Sequence, residues 1–296
     1  MNAKQRYKNI TLGEWLAEWF TTYKRPYLRP YSLRNIEQMI RLHTPAWLKA
    51  MRMRDICVLD LDKALAELPN GRTMQYARQT WHNAFAKACK LGIVERNVVD
   101  LTDAVKYKKK RGNPLNVKER RDFLEAIKGK RFEWLMKFYI LTGVRRSEAL
   151  TLEWSDIDED ERLILIRGTK TEGSYRSILL TDEIKNILSE QRKQNETDKL
   201  KKGRGKFHEA RENMVFPFSA EYVSRMFKTF CPAHHLHDLR HTYITLCAES
   251  GVNVSVCQQL VGHSTAALTL NVYTHVIDEY KRKEAAKFTL FPSFYG

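Results

Sequence analysis

The residues whose types could do chemistry lie in four short segments of the second half of the chain. The first holds Arg145 and Glu148, which share a face if the segment is helical because they are three residues apart. The second is His237-Asp-Leu-Arg-His241, in which His237 and Arg240 share a face in the same way. Arginine presents a rigid fork of donors to phosphate oxygens, and a neutral histidine can move a proton near neutral pH. Arg–Glu pairs at this spacing are also common on helix surfaces, so this pair alone does not decide between a site and a solvated face.

The other two segments add a histidine, a tyrosine and a lysine. Val261-Gly-His263 is followed ten residues later by Tyr273, and Lys170 lies at or near the tip of a predicted hairpin. A lone histidine after glycine often caps a helix, and a lone tyrosine often belongs to a core. Four histidines between positions 234 and 241 raise the alternative of a metal site. They have neither a glutamate at the spacing of zinc proteases nor a cysteine partner, so we expect no metal.

The charge of the chain is distributed unevenly. The 296 residues include 51 Lys and Arg against 35 Asp and Glu, a formal net charge of +16. Residues 1–110 hold 21 basic and 10 acidic side chains, so roughly the first third carries most of the excess. Such an excess indicates a domain that contacts a polyanion. The alternative is a protein that is merely soluble and basic.

Cysteine content and hydropathy exclude several classes of protein. The five cysteines are scattered and form no Cys-x-x-Cys pair, which argues against a disulfide framework and a cysteine zinc site. No apolar run approaches the ~20 residues that a membrane helix needs. The basic N-terminus is not followed by the apolar segment of a secretion signal. We therefore expect no membrane partner and a cytoplasmic location.

Helical patterns dominate the N-terminal third. Thr11 and Glu14 have the spacing of a capping box, and apolar residues at three-and-four spacing follow them from Leu12 to Phe20. Pro26 and Pro30 are expected to end this helix, with Ser32 capping the next one. Further helices are predicted from Leu59 to Leu68 and from Thr73 to Leu91.

The second part of the chain combines helices with a short sheet. Two β-rich runs, 162–167 and 174–180, predict a hairpin, and the polar, basic stretch 199–206 predicts a loop. The fold class is thus mainly α, with an all-helical N-terminal domain and a C-terminal mixed α+β domain that has a small antiparallel sheet. The predicted boundaries are 1–107 for the first domain, 108–114 for a basic linker and 115–296 for the second domain. The linker is either a run of solvated charges or a segment that lies along DNA phosphates. In the second case its DNA-binding residues are Lys108, Lys109, Lys110 and Arg111.

Taken in order, the four segments resemble the tyrosine recombinases, the phage integrase family. The resemblance rests on an ordered set of motifs over about 130 residues, each only moderately specific alone. The motifs are Thr-Gly-Val-Arg with Ser-Glu-Ala-Leu, Leu-Glu-Trp-Ser-Asp-Ile-Asp, Thr-Lys-Thr, His-Asp-Leu-Arg-His-Thr, Val-Gly-His-Ser and Val-Tyr-Thr-His. Residues 32–41 and 84–98 are more loosely similar to the family's helical core-DNA-binding domain.

The resemblance implies a role for each candidate residue. Tyr273 is expected to attack a DNA phosphodiester, which leaves a 3′-phosphotyrosyl link and a free 5′-hydroxyl. Arg145 and Arg240 are expected to neutralise the phosphate charge, and Lys170 to protonate the leaving oxygen. His237 is expected to accept the tyrosine proton or to donate a hydrogen bond to the phosphate. His263 is expected to support the phosphate and the nucleophile, and Glu148 to orient Arg145. No cofactor is expected, because the covalent link conserves the bond energy.

Some assignments stay open within this resemblance. Arg146 adjoins Arg145, and only the Gly-x-Arg spacing selects the latter. Tyr243, Tyr280 and Tyr295 are rival tyrosines, and Tyr243 is best interpreted as a core residue.

The resemblance also implies partners. They are double-stranded DNA recombination sites, a homo-tetramer on DNA that the C-terminal segment 288–296 helps to assemble in trans, and accessory DNA-bending or directionality factors. An integrase of a phage or other mobile element, acting at the nucleoid, is the expected function. The alternatives are a Xer-type recombinase that resolves dimers, a type IB topoisomerase, and a DNA-binding regulator that keeps the fold without the chemistry.

Overall fold

Each part of the chain contains one large hydrophobic core in the computed structural model. The structure describes residues 7–107, 112–168, 175–202, 211–263, 265, 269–270 and 273. The chain divides into two compact units, residues 1–110 and 111–296. Residues 108–111 of the predicted linker lie outside the described residues, and the domain boundaries given above stay a prediction.

Helices form most of the first unit. Among its described residues they are α1 (Leu12–Tyr23), α2 (Pro30–His43), α3 (Ala46–Ala50), α4 (Val58–Ala66) and α5 (Gly71–Lys90), with 3-10 turns at Met53–Asp55 and Val98–Leu101. The predicted capping box at Thr11 is confirmed: the Glu14 amide donates to the Thr11 hydroxyl at 3.2 Å, and the Thr11 amide to the Glu14 carboxylate at 2.8 Å. Trp15 is fully buried, and its indole donates to the carbonyl of Ala84 on α5 at 2.9 Å.

The start of α2 differs from the prediction. Pro30 is the first residue of the helix rather than a breaker, and Arg29 stands at the N-cap instead of Ser32. Amides in the first turn of a helix have no acceptor within the helix, so the amide that proline lacks is not missed there. The fixed φ of proline is also close to that of a helix. Proline therefore marks a helix start here.

A buried helix and a three-stranded sheet form the centre of the second unit. The described helices are α6 (Val117–Ala126), α7 (Glu133–Thr142), α8 (Arg146–Leu150), α9 (Asp182–Lys202), α10 (Ala220–Phe230), α11 (Asp238–Glu249) and α12 (Val254–Val261), with a 3-10 turn at Trp154–Asp156. The helix α7 is buried along most of its length and packs against α9 and α11. It ends at Gly143, whose φ of +60° is left-handed and favours glycine.

The predicted hairpin forms, with one additional short strand. The strands β1 (Ile157–Asp158), β2 (Leu163–Arg167) and β3 (Tyr175–Leu179) make an antiparallel sheet in that order. Ile164 pairs with Ile178 and Ile166 pairs with Arg176, which sets these four side chains on the face that packs on the core. The predicted fold class, mainly α with a small antiparallel sheet in the second part, is confirmed.

The prediction of a loop over 199–206 is wrong for its first part, because α9 continues to Lys202. This helix packs through polar side chains as well as apolar ones. Gln191 is fully buried and donates to the amide oxygen of Asn195 at 2.8 Å, and Asn195 donates to the carbonyl of Val215 at 3.0 Å. These bonds offset much of the cost of burying the two amides, and among the described residues only Gln191 Oε1 of this pair is buried without a partner. The polar sequence therefore does not end the helix.

Candidate active site

Three consecutive backbone carbonyls at the C-terminal end of α12 each accept a hydrogen bond from a different arginine. The bonds run from Arg176 Nε to Leu260 O at 2.7 Å, from Arg240 Nη2 to Val261 O at 2.5 Å and from Arg145 Nη2 to Gly262 O at 2.7 Å. The last carbonyls of a helix have no partner within the helix and carry partial negative charge. The end of α12 therefore gathers side chains from α11, β3 and the start of α8 at one place.

Arg145 and Glu148 form the pair that their spacing predicts. Arg145 is the N-cap of α8, and its amide donates to Glu148 Oε2 at 2.8 Å while its Nη1 donates to Oε1 at 2.6 Å. The Glu148 side chain is 1% exposed, whereas that of Arg145 is 32% exposed. Arg146 is exposed and donates instead to the Ser224 hydroxyl at 2.7 Å. The geometry thus places Arg145, and not Arg146, at the end of α12.

Arg240 is buried and has one donor without a partner. Its Nη1 donates to the carbonyl of Gly143 at 2.7 Å, beside the Nη2 bond to Val261. Its Nε is buried with no hydrogen-bond partner among the described residues. Burial and the nearby Arg145 guanidinium lower the pKa of Arg240 to about 9, so the side chain stays charged at neutral pH. A buried cation whose two bonded nitrogens donate to neutral carbonyls is suited to an anion.

Two histidines face these arginines. Desolvation, His241 and then Arg240 lower the pKa of His237 to about 4, although part of this residue is exposed. Desolvation followed by Arg240 and Arg145 lowers the pKa of His263 to about 4. Both imidazoles are therefore neutral at pH 7, which lets each accept a proton or a hydrogen bond.

His263 and the carbonyls that accept hydrogen bonds from the arginines belong to one turn. The amide of His263 donates to the carbonyl of Gln258 at 3.1 Å, and its Nδ1 lies 2.9 Å from the Thr269 hydroxyl. Gly262, just before it, has a left-handed φ of +66°. This turn holds the imidazole beside the arginines.

Sequence reasoning missed Arg176. Its side chain is 12% exposed and meets the Glu148 carboxylate from the sheet, with Nη2 2.8 Å from Oε2. Its position in β3, two residues before the buried Ile178, is the signal that could have found it, because the two side chains share the inward face.

Tyr273 is buried, and its hydroxyl is bonded to the backbone. It is 4% exposed and packs in a small core with Ile244 and Cys257. Its hydroxyl donates to the carbonyl of Val252 at 3.1 Å. Desolvation, followed by a hydrogen bond with Cys257, raises the pKa of Tyr273 above its usual value. The structure thus brings the two arginines, the two histidines and Glu148 together, while the tyrosine hydroxyl is bonded to the carbonyl of Val252.

The remaining candidates cannot be placed. Lys170, the linker residues Lys108 to Arg111 and the C-terminal segment 288–296 lie outside the described residues. A cleft lined by Arg145, His237 and Arg240, among others, opens the cluster to solvent.

Within the part of the chain that the structure describes, no group of three or more His, Cys, Asp or Glu side chains could hold a metal ion. In that same part, no helix is both long enough and apolar enough to cross a membrane.

Family models match both parts of the chain. The phage integrase family matches residues 113–279, more than half of the chain, and the N-terminal SAM-like domain of phage integrases matches residues 11–68. The chain belongs to the phage integrase family. One curated relative in this family is the "Tyrosine recombinase XerC-like" protein of Caldanaerobacter subterraneus, which is 28% identical over 190 residues, 53% of this chain and 49% of that protein. The chain spans about half the length of this and other curated relatives.

Solved integrase structures share the fold. A lambda integrase dimer bound to a COC′ core site is similar with a TM-score of 0.74 and 20% identity, over 90% of this chain and 77% of that one. A lambda integrase tetramer bound to a Holliday junction is similar with a TM-score of 0.71 and 20% identity, over 87% of this chain and 78% of that one. At this level of identity, the likeness concerns the fold alone.

Proposed function

We propose that this chain is a site-specific DNA recombinase of the tyrosine type, an integrase of a phage or other mobile element. It cuts and rejoins DNA by two transesterifications, with a protein–DNA link between them. The observation that carries this proposal is the convergence of Arg145 and Arg240 on the end of α12, where Arg240 Nε is a buried donor without a partner among the described residues.

The arginines supply the charge that the reaction needs. Attack on a phosphodiester builds negative charge on the two non-bridging oxygens, and fixed donors stabilise that charge without reorganising. Both arginines line the cleft; Arg145 is about one-third exposed, whereas the charge of Arg240 is buried. The two guanidinium groups are near enough for Arg145 to lower the pKa of Arg240. A phosphate between them relieves that repulsion.

Tyr273 is the proposed nucleophile. Its oxygen bonds to phosphorus while the bond to the 5′-oxygen breaks, which leaves a 3′-phosphotyrosyl link. The tyrosine proton passes to the neutral imidazole of His237, and His263 supports the phosphate and the nucleophile. Lys170 donates a proton to the leaving 5′-oxygen. The number of phosphodiester bonds is unchanged, so the step as written needs neither a cofactor nor ATP.

Tyr273 must change position for this step. Its hydroxyl bond to the Val252 carbonyl has to break, and the side chain has to leave the contact with Cys257. A neutral, buried tyrosine is a poor nucleophile, and the raised pKa of Tyr273 keeps its hydroxyl protonated in this position. The described position of Tyr273 is therefore a resting one, and DNA binding shifts the tyrosine toward the arginines.

The proposed partners follow from the chemistry and from the relatives. The substrate is a pair of double-stranded DNA sites, and strand exchange through a Holliday junction requires four active sites. The lambda integrase tetramer bound to a Holliday junction supports this assembly. Docking of segment 288–296 on a neighbouring protomer, accessory DNA-bending or directionality factors and a nucleoid location belong to the same proposal.

Resolution of DNA dimers is the second candidate function. It is favoured by the name of the relative from Caldanaerobacter, a XerC-like tyrosine recombinase. Recombination between two copies of one site without any partner protein or translocase supports the integrase, whereas a requirement for a paralogue supports dimer resolution.

Covalent trapping tests the proposed activity. Wild type, Tyr273→Phe and the control Tyr280→Phe are each mixed with a library of duplexes nicked near the cleavage position, so that the short 5′-hydroxyl fragment diffuses away. We expect wild type and Tyr280→Phe to yield DNA that remains linked to protein after denaturation, and Tyr273→Phe to yield at least about 1000-fold less, since a phenyl ring has no nucleophile. Sequencing the linked DNA gives the target site. An adduct with undiminished yield from Tyr273→Phe, or DNA binding without any adduct, contradicts the proposal.

A further inference from the structure

Each of the three nitrogens of the Arg176 guanidinium donates to a protein group. Its Nη2 and Nη1 lie 2.8 and 3.2 Å from the two oxygens of Glu148, and its Nε donates to the carbonyl of Leu260 at 2.7 Å. Its side chain is 12% exposed, and Arg176 is not among the residues that line the cleft. Arg176 is therefore placed to hold protein groups rather than a phosphate.

Glu148 transmits this hold to Arg145. Its Oε1 accepts from Arg145 Nη1 at 2.6 Å and from Arg176 Nη1 at 3.2 Å, and its Oε2 accepts from the Arg145 amide and Arg176 Nη2, each at 2.8 Å. Burial raises the pKa of Glu148, but the bonds and charge of Arg176, followed by those of Arg145, outweigh it and bring the pKa to about 2. The carboxylate is thus charged and fixed on both oxygens at neutral pH.

Arg176 also fixes the end of α12. It binds the carbonyl of Leu260, and a Cβ on Gly262 would lie only 3.0 Å from Arg176 Nη1. The next two carbonyls along the chain are those that bind Arg240 and Arg145. One guanidinium from the sheet therefore contacts both the acid that orients Arg145 and the turn that leads to His263.

We infer that Arg176 is a positioning residue for the proposed cleavage reaction: it ties β3, α8 and the end of α12 together so that Arg145, Arg240 and His263 meet one phosphate. This inference rests on the proposed function. Lysine cannot replace Arg176 fully, because a single ammonium group lacks the planar fork that meets both carboxylate oxygens and a carbonyl at once.

The test separates binding, folding and the chemical step. Arg176→Lys and Arg176→Met are compared with wild type on the duplex recovered by covalent trapping. Arg167→Met is the matched control, since Arg167 lies on the same sheet and binds another nearly buried carboxylate, that of Asp156, at 2.5 Å. Band shifts give the DNA affinity, thermal unfolding gives the Tm, and single-turnover cleavage gives a rate constant and an amplitude.

We expect the Arg176 variants to bind DNA within about threefold of wild type, because phosphate contacts elsewhere supply most of the affinity. The cleavage rate constant is expected to fall about 30- to 100-fold in Arg176→Met and less in Arg176→Lys, since a misplaced catalytic group of this kind costs about 100-fold. Arg167→Met is expected to keep the wild-type rate constant within about threefold.

A purely structural role gives a different result. It lowers the Tm and the amplitude in proportion to the unfolded fraction while the rate constant of the folded fraction stays at the wild-type value, and this overturns the inference. Arg176→Met leaves the Glu148 charge buried, so the double variant Glu148→Gln with Arg176→Met is included to recover folding. It is expected to regain Tm without regaining rate, and a wild-type rate in it also overturns the inference. If wild type itself forms no adduct, the proposed function fails, and the inference fails with it.

Discussion

At the scale of single residues, Arg240 is the side chain whose surroundings most need an explanation. It is 2% exposed, both of its bonded nitrogens donate to backbone carbonyls, and its Nε has no partner among the described residues. Burying an arginine without a directly bonded carboxylate lowers stability. A bound phosphate supplies both the missing charge and the missing acceptor, so the proposed site explains why the residue is kept there.

The depressed pKa of His263 predicts a pH dependence of stability. Its folded-state pKa is about 4 against an ordinary value of 6.5, so the unfolded chain binds more protons between these values. Stability from this group is therefore complete above pH 6.5 and is lost as the pH falls toward 4. We expect wild type to lose about 1 kcal/mol more than His263→Asn between pH 7 and pH 5, a figure reduced for solvent screening because the residue is only partly buried. Urea unfolding at the two pH values measures this, and an equal loss in both proteins contradicts the prediction.

The same scale shows which site residues a sequence can reveal. Arg145, Glu148, His237, Arg240 and His263 were predicted because each lies in a short motif, and the structure brings them together. Arg176 stands alone on a strand, and its role depends on which side chains face it across the fold. The burial of the Tyr273 hydroxyl against a backbone carbonyl leaves no trace in the sequence either, because backbone acceptors have no residue type.

At the scale of elements, the C-terminal turn of α12 is the part that organises the site. Gly262 combines a left-handed φ of +66° with a close approach to Arg176. Gly251, at the end of α11, has a similar φ of +72°, but a Cβ there would have no atom of another described element within 4 Å. Substitution at Gly251 therefore tests the backbone strain alone, whereas substitution at Gly262 tests the same strain together with displacement of Arg176.

Alanine substitution of these glycines is expected to give similar stabilities and different rates. Each substitution lowers the free energy of unfolding by about 1 kcal/mol through the left-handed φ. Gly262→Ala additionally displaces Arg176 and is expected to slow single-turnover cleavage about tenfold or more, whereas Gly251→Ala keeps the wild-type rate. Urea unfolding and cleavage of the trapped duplex measure both quantities, and equal rates in the two variants would contradict the role given to this turn.

Element prediction succeeded where apolar spacing was strong and failed where packing was polar. The stripe from Leu12 to Trp19 and the hairpin strands follow from periodicity alone. The helix α9 was not predicted, and its end was assigned to a loop, because its buried face includes amides whose partners, such as the Val215 carbonyl, lie far away in the chain. Pro30 was misassigned because proline is compatible with both the end and the first turn of a helix.

At the scale of the whole molecule, charge and division into two units point to the same use. The chain carries a net charge of +16, and residues 1–110 hold more than half of that excess. Each unit has a hydrophobic core of its own, so neither depends on the other for a buried interior. Two units with separate cores are compatible with the proposed contact with DNA.

The excess of positive charge predicts a steep salt dependence of DNA binding. Each phosphate that a basic side chain neutralises releases condensed counterions. The logarithm of the affinity therefore falls linearly with the logarithm of the salt concentration. We expect a loss of about 1000-fold or more between 50 and 200 mM salt, as for proteins with at least six phosphate contacts. Fluorescence anisotropy with a labelled duplex measures it, and an affinity that does not change with salt would contradict this use of the charge.

The most direct test of the central claim is to identify the amino acid that carries the DNA. The trapped adduct is digested with trypsin and nuclease, and the modified peptide is sequenced by mass spectrometry, while the released fragment is tested for a free 5′-hydroxyl by kinase labelling. The account predicts a 3′-phosphate linked to Tyr273 and a 5′-hydroxyl that labels fully. DNA linked to Tyr280, Tyr295 or another residue, or a fragment that ends in a 5′-phosphate, would contradict it.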